Sequence, residues 1–207
     1  MAAIAGDERR DQPPPPTRVR TRLDPERRRE QLLDAAEAVF DGRDPLEVTF
    51  EQVADQAGVS RALVYNYFGD KFGLIAAVYV RWALELDRDL AAAFASGDPP
   101  EERLRRVIRC HLDFATRHAD VAAAVQSTEA HAHPVVNQAR LRRVDRVATA
   151  WGPTAEDRIV ARGVLALLER VALDRIDEPD LDRQAVEDLL FDLLWPGLSA
   201  CVPSPFD

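Results

Sequence analysis

The sequence predicts an all-α protein: a three-helix N-terminal unit followed by a longer helical domain. Three observations carry that prediction. Apolar residues recur at three- and four-residue steps from Leu32 to Leu194, the spacing of helices that bury one face. Cap and breaker residues punctuate them at helix-length intervals. No strand-like alternation lies between turn signals.

Composition narrows the class. A chain of 207 residues makes one large domain or two small ones. It can bury roughly 70% of its unfolded surface without a disulfide or a metal. Hydrophobic residues at 46% and charged residues at 30% suit a soluble globular protein. No apolar run approaches the roughly 18 residues of a membrane span. The stretch MAAIAGDERRDQPPPP lacks the apolar centre of a secretory signal. Cys110 and Cys201 are the only cysteines, so no disulfide framework is expected and a reducing cytoplasm is the expected compartment. A net charge of −9 argues against a non-specific nucleic-acid coat. It leaves room for a reader whose cations are placed locally.

Residues 1–17, with Pro13 to Pro16, read as a tail too polar to bury itself. A basic arm follows at Arg18, Arg20 and Arg22. Asp24 as N-cap and Pro25 at the first helical position open a helix. Its stripe is Leu32, Leu33, Ala36, Val39 and Phe40, and Gly42 ends it. Thr49 and Gln52 fit a capping box, with Val48 and Val53 at staple spacing. Gly58 suits a left-handed helix end. Ser60 caps the next helix, Arg61 to about Phe68. That helix is too short to stand alone in water. It must be held by packing on one face, which leaves the other face free.

Asp70 caps a long helix from Lys71 to about Ser96. Gly97-Asp98-Pro99-Pro100 breaks the chain. Further helical stretches are predicted at about 100–117, 120–131, 134–150 and 154–174, the last capped by Thr154 with Asp157. Trp151-Gly152-Pro153 separates the last two. A loop at Asp177 to Asp180 precedes a final helix at about 182–200.

The informative stretch is TFEQVADQAGVSRALVYNYFGDKFGL, residues 49–74. Ala54 is small enough for a second helix to cross close. Gly58 supplies the turn, and Val59 and Val64 seal a small core. This is a helix-turn-helix arrangement, whose second helix enters the DNA major groove.

The stretch resembles the tetracycline-repressor (TetR) family of bacterial transcriptional regulators. The resemblance rests on Leu32-Leu33-Asp34-Ala35-Ala36 with Val39-Phe40, on Thr49, on Ala57-Gly58-Val59-Ser60, on Tyr65-Asn66-Tyr67-Phe68 and on Lys71. It covers about residues 27–80. It implies a DNA-binding domain at 18–70 and a ligand-binding and dimerisation domain at 71–207. It also implies a homodimer on a pseudo-palindromic DNA operator, repressing until a small molecule releases it. No enzyme activity and no cofactor are implied. Leu63 departs from the family, where threonine or serine is common, as do Phe50, where a second threonine is frequent, and Arg43, where an aromatic often follows the loop glycine.

By the same resemblance, Thr49 and Ser60 would bond phosphates from helix N-termini. Arg61, Ala62, Tyr65 and Asn66 would face base edges: arginine can grip guanine, asparagine adenine, and alanine a thymine methyl. Tyr67 and Lys71 would touch the backbone, and Arg18, Arg20 and Arg22 could follow a groove or phosphates. Packing is the other reading for Tyr67 and Phe68. For Arg27 to Arg29, among Glu26 and Glu30, a salt-laced helix face is the other reading, with Arg28 a phosphate candidate. Residues 18–81 hold ten basic and eleven acidic side chains, a net of −1. Binding would therefore depend on helix ends and a few arginines rather than on a bulk field.

The family plan makes Trp82, Phe94, His111, Phe114, Gln126, Glu129 and Trp151 candidate pocket residues, with core packing the alternative for each. Glu129, His131 and His133 sit close in sequence, but the spacing is weak and no metal is expected. Apolar stripes at Val160, Gly163, Val164, Leu167 and Val171, and at Val186, Leu189, Leu190 and Leu193, would build a four-helix dimer interface. An intrachain hairpin is the alternative. Two rival functions remain: a dimeric interaction module without DNA binding, and an all-α enzyme, for which the sequence offers no nucleophile-base pair.

Overall fold

Proline at the first helical position and a stripe at three- and four-residue steps give α1 (Pro25–Phe40). Its buried side is Leu32, Leu33, Ala36 and Phe40. The computed structural model describes residues 24–151, 154–178 and 180–201. The tail at 1–17, the arm at Arg18, Arg20 and Arg22, the Gly152-Pro153 break and the Trp151 side chain lie outside the described residues.

α2 (Phe50–Ala57) begins with the capping box. The Gln52 amide donates to Thr49 Oγ1 at 3.3 Å, and the Thr49 amide to Gln52 Oε1 at 2.8 Å. Its end is a left-handed glycine, Gly58, at φ +65°. The Val59 amide reaches the Ala54 carbonyl at 2.9 Å, closing the carbonyls a helix end leaves open. α3 (Arg61–Phe68) follows after Gly58, Val59 and Ser60.

α4 (Lys71–Phe94) is capped by Asp70, which accepts from the Gly73 amide at 2.7 Å. Gly73 is required there. A Cβ on it would stand 2.1 Å from the Phe68 carbonyl oxygen, so the α3–α4 corner closes only over a residue without one. Beyond α4 come α5 (Pro100–Arg117), α6 (Ala119–Gln126), a 3₁₀ turn at Glu129–Ala132, α7 (Pro134–Trp151), α8 (Ala155–Asp177) and α9 (Arg183–Cys201). Among the described residues there is no strand, and no helix is long and apolar enough to cross a membrane.

The structure differs from expectation at 120–131, where one helix was predicted. The chain leaves α6 after Gln126 and resumes as the 3₁₀ turn. Thr128 is the cause. Its hydroxyl donates to the Ala124 carbonyl at 2.7 Å and accepts from the Ala130 amide at 3.3 Å. A hydroxyl bonded to nearby backbone offers the chain an alternative to helix.

One core runs the length of the molecule, from Leu32, Val53 and Val64 through Leu74 and Ile75 to Ile108 and Leu168. α4 is its spine, touching α1 and α3 early and α5, α6 and α7 further on. α8 and α9 both pack on α5, and direct packing between them is slight among the described residues. They are therefore not a closed hairpin. Polar ties fix α1–α3 to the spine. Arg81 of α4 reaches Asp34 at 2.5 Å, Glu37 at 3.3 Å and Glu30 at 3.7 Å, all on α1. Within the N-terminal unit, the Gln31 side chain of α1 donates to the Ala57 carbonyl at the end of α2 at 3.0 Å.

Candidate nucleic-acid interface and ligand cavity

An eight-residue helix has two useful faces, and α3 divides them cleanly. Val64 and Phe68, four apart, are buried. Arg61, Ala62, Tyr65 and Asn66 are all exposed and share the opposite face, because positions i, i+1, i+4 and i+5 lie together on a helix. Tyr65 stands edge-on to Phe50, with ring centroids 4.6 Å apart. The Arg61 guanidinium lies 5.5 Å from the Tyr65 ring centre. Phe50, one of the departures from the family pattern, is thus the base of a short stack ending in a cation.

Around that face, Ser60 is the N-cap and its side chain makes no cap bond. Thr49 is exposed, but its hydroxyl is engaged in the capping box. Tyr67 is half-buried, 6.4 Å from the Phe68 ring. Lys71 donates its Nζ to the Leu46 carbonyl at 2.5 Å. Arg28 holds Gln31 Oε1 at 2.6 Å, and Arg29 lies over the Phe68 ring.

A second feature lies between α4, α5, α7 and α8. It is a cavity of about 120 Å³, or about 680 Å³ of empty space with its mouth included. Of the sequence-predicted pocket residues, His111 and Phe114 line it. Gln126 sits beside it, donating to Glu169 Oε1 at 3.3 Å. The structure puts Trp82, Phe94 and Glu129 elsewhere. Trp82 stacks on His118 at 4.2 Å in a cleft against α1. Phe94 lines a groove with Leu90 and Val147. Glu129 is exposed on the 3₁₀ turn. His131 lies near Arg140, and His133 accepts from the Val135 amide.

Sequence reasoning missed the polar wall: Tyr79, Arg140, Arg143, Arg162 and Glu169. Glu169 Oε1 accepts from Tyr79 at 3.1 Å and from Arg140 at 2.7 Å. Burial works to raise its pKa, but the charge and hydrogen bonds of Arg140, with Arg143 and Tyr79, hold the carboxyl below its usual range. Burial, then the Glu169 charge, push the Tyr79 phenol up, so it stays a donor. Arg143 holds Asp87 Oδ1 at 2.7 Å, with both side chains almost fully buried. Burial pushes His111 down to about 4, so it is neutral near pH 7. A signal did exist: Glu169 falls within the stripe Leu165, Leu168 and Ala172, where a carboxylate needs a partner.

On α8 and α9, the expected interface residues divide. Val164, Val186 and Leu190 are buried within the protomer. Val160, Leu167 and Val171 are half-buried. Gly163 is exposed, with open space where a Cβ would stand. Leu189 is 65% and Leu193 62% exposed, and Ile159 on α8 is 71% exposed.

Comparison with known proteins gives three findings. Residues 32–78 match the profile of bacterial regulatory proteins of the tetR family. The HTH-type transcriptional regulator BetI of Brucella canis is 38% identical over 122 residues, 59% of this chain and 61% of that protein. The match thus spans about three fifths of that relative's length. Among solved structures, a TetR-like transcriptional regulator from Rhodococcus sp. RHA1 is 30% identical with a TM-score of 0.57, covering 86% of this chain and all of that one. A tetR-family regulator from Streptomyces coelicolor is 27% identical with a TM-score of 0.59, covering 86% of this chain and 84% of that one.

Proposed function

The chain belongs to the TetR family of bacterial regulators, and from that premise we propose that it is a DNA-binding transcriptional repressor, acting as a homodimer and released from its operator by a small molecule. The observation that carries the reading is the division of α3. Val64 and Phe68 hold it from behind, and Arg61, Ala62, Tyr65 and Asn66 stand free in front. In this reading those four meet base edges in the major groove, and Ser60 and Thr49 meet phosphates. Lys71 would need to leave the Leu46 carbonyl to reach the backbone.

The exposed apolar residues Ile159, Gly163, Leu189 and Leu193 support a two-fold contact through α8 and α9. The cavity is the effector site. Tyr79 and Leu86 bring α4 into its wall, and the same helix starts at the α3 corner. A molecule seated there displaces α4 and alters the spacing of the two recognition helices. A dimer fits both half-sites only at one DNA turn, so that change weakens both contacts.

A gel-shift assay on DNA flanking the protein's own gene tests the reading. Salt-sensitive, sequence-specific retardation is the expected result. No retardation at low salt would sink it and leave a dimeric interaction module.

A further inference from the structure

The unengaged polar atoms of the cavity describe its occupant. His111 Nδ1 lies 2.9 Å from the Val107 carbonyl. A carbonyl only accepts, so Nδ1 carries the proton and Nε2 presents a lone pair. Nε2 has no partner among the described residues, and it is not one of the polar atoms sealed from solvent. On the same wall, Arg143 commits Nε to Asp87 and Nη2 to the Ala83 carbonyl, and its Nη1 has no partner among the described residues. His111 Nε2 is thus a free acceptor and Arg143 Nη1 a free donor on this wall, with Glu169 Oε2 and the Arg162 guanidinium further groups of the lining that hold no hydrogen bond among the described residues.

Charge inside is already matched. Arg140 pairs with Glu169 and Arg143 with Asp87. The rest of the wall is apolar, with Leu86, Phe114, Val144 and Leu165 contributing. A buried carboxylate would set its lone pairs against His111 Nε2 and its charge near Glu169. An ammonium would meet Arg140, Arg143 and Arg162. A hydroxyl both donates and accepts, and it carries no charge to desolvate. The enclosed part, about 120 Å³, is slightly smaller than the roughly 150 Å³ that holds benzene, so a chain of about nine non-hydrogen atoms would fill it and extend into the mouth.

We infer that the cavity binds a small, uncharged, mostly apolar molecule bearing a hydroxyl group, which donates to His111 Nε2 and accepts from Arg143. This rests on reading the cavity as the effector site. The competing chemistry is an acid whose carboxylate pairs with Arg162, exposed at the mouth and without an ion pair among the described residues.

Three probes of one size separate these: 1-octanol, its isomer 1-methoxyheptane, which cannot donate, and octanoate. Calorimetry on the full chain without DNA should show one octanol per chain, bound about tenfold more tightly than the ether or octanoate. The ¹⁵N resonance of His111 Nε2 should move with octanol and not with the ether. His111→Phe should bring alcohol and ether to equal affinity. If that variant fails to fold, the wild-type comparison and the resonance still decide. Equal binding of alcohol and ether overturns the inference, as does no binding by any probe. Tightest binding of octanoate, lost in Arg162→Ala, assigns an acid instead. Since no DNA is present, failure here leaves the repressor reading standing, and failure of the gel shift leaves this result standing.

Discussion

Tyr65 meets Phe50 edge-on, with ring planes at 69° and centroids 4.6 Å apart, so the first residue of α2 supports the exposed face of α3. Such pairs contribute about 0.5–1.5 kcal/mol beyond the area they bury. Phe50→Leu keeps an apolar side chain and removes the ring edge. It should weaken operator binding several-fold through a freer Tyr65, with a smaller effect once Tyr65 is already alanine. A double-mutant cycle read by gel shift measures this. Additive losses would show that the two rings act separately.

Arg61 ends the same stack, over the Tyr65 ring. Arg61→Ala is expected to cost about 1–3 kcal/mol of operator affinity and to relax preference at one base pair. Binding to a panel of singly substituted sites checks it. A uniform loss across the panel would reassign Arg61 to the phosphates.

His111 makes stability depend on pH. Its pKa is about 4 when folded and about 6.5 unfolded. Between those values the unfolded chain binds a proton that the folded one refuses, so stability rises with pH across the window and is level above it. The difference amounts to about 3 kcal/mol. Urea melts should therefore weaken from about pH 7 to about pH 4, and less steeply in His111→Phe. His118, also lowered by burial, titrates in the same direction, so the quantity to read is wild type minus variant. Parallel curves would remove His111 from the account.

Arg81 opposes the burial that raises the pKa of Glu37. In Arg81→Met the Glu37 carboxyl should titrate higher still, as read by ¹³C NMR. The loss of stability should stay within about 1 kcal/mol, since these pairs are partly exposed. An unchanged Glu37 would mean that Arg81 is a surface cation without influence on α1.

Two glycines should fail for different reasons. Gly58→Ala strains a left-handed backbone in open space, costing about 1 kcal/mol. Gly73→Ala sets a methyl against the Phe68 carbonyl, and backbone cannot give as a side chain can. Its cost should reach about 1–3 kcal/mol or more. Thermal melts should rank Gly73→Ala below Gly58→Ala, at roughly 2–4 °C per kcal/mol.

The N-terminal helices were legible in the sequence because their signals are local. Pro25, the Thr49–Gln52 box, Gly58 and Asp70 each fix a boundary through neighbours a few residues away. That α3 leaves one face free followed from its shortness, and the residues on that face from the family resemblance. The cavity was harder to read. Glu169 and Arg140 are 29 residues apart and Arg143 and Asp87 are 56 apart, and no local rule pairs them. The family plan offered Trp82 as a pocket candidate because its helix borders the cavity, and the structure sets its side chain in the cleft against α1. Gly73 carried no turn signal, because its constraint comes from the carbonyl of another helix.

α4 runs unbroken for 24 residues, about 36 Å at the usual rise. A rigid rod of that length is a mechanical amplifier. Pivoted at one extremity by about five degrees, it sweeps the other through roughly 3 Å, the reach of a single hydrogen bond. Volume added beside Tyr79 or Leu86 thus need not be large to be felt at the corner where Gly73 meets Phe68.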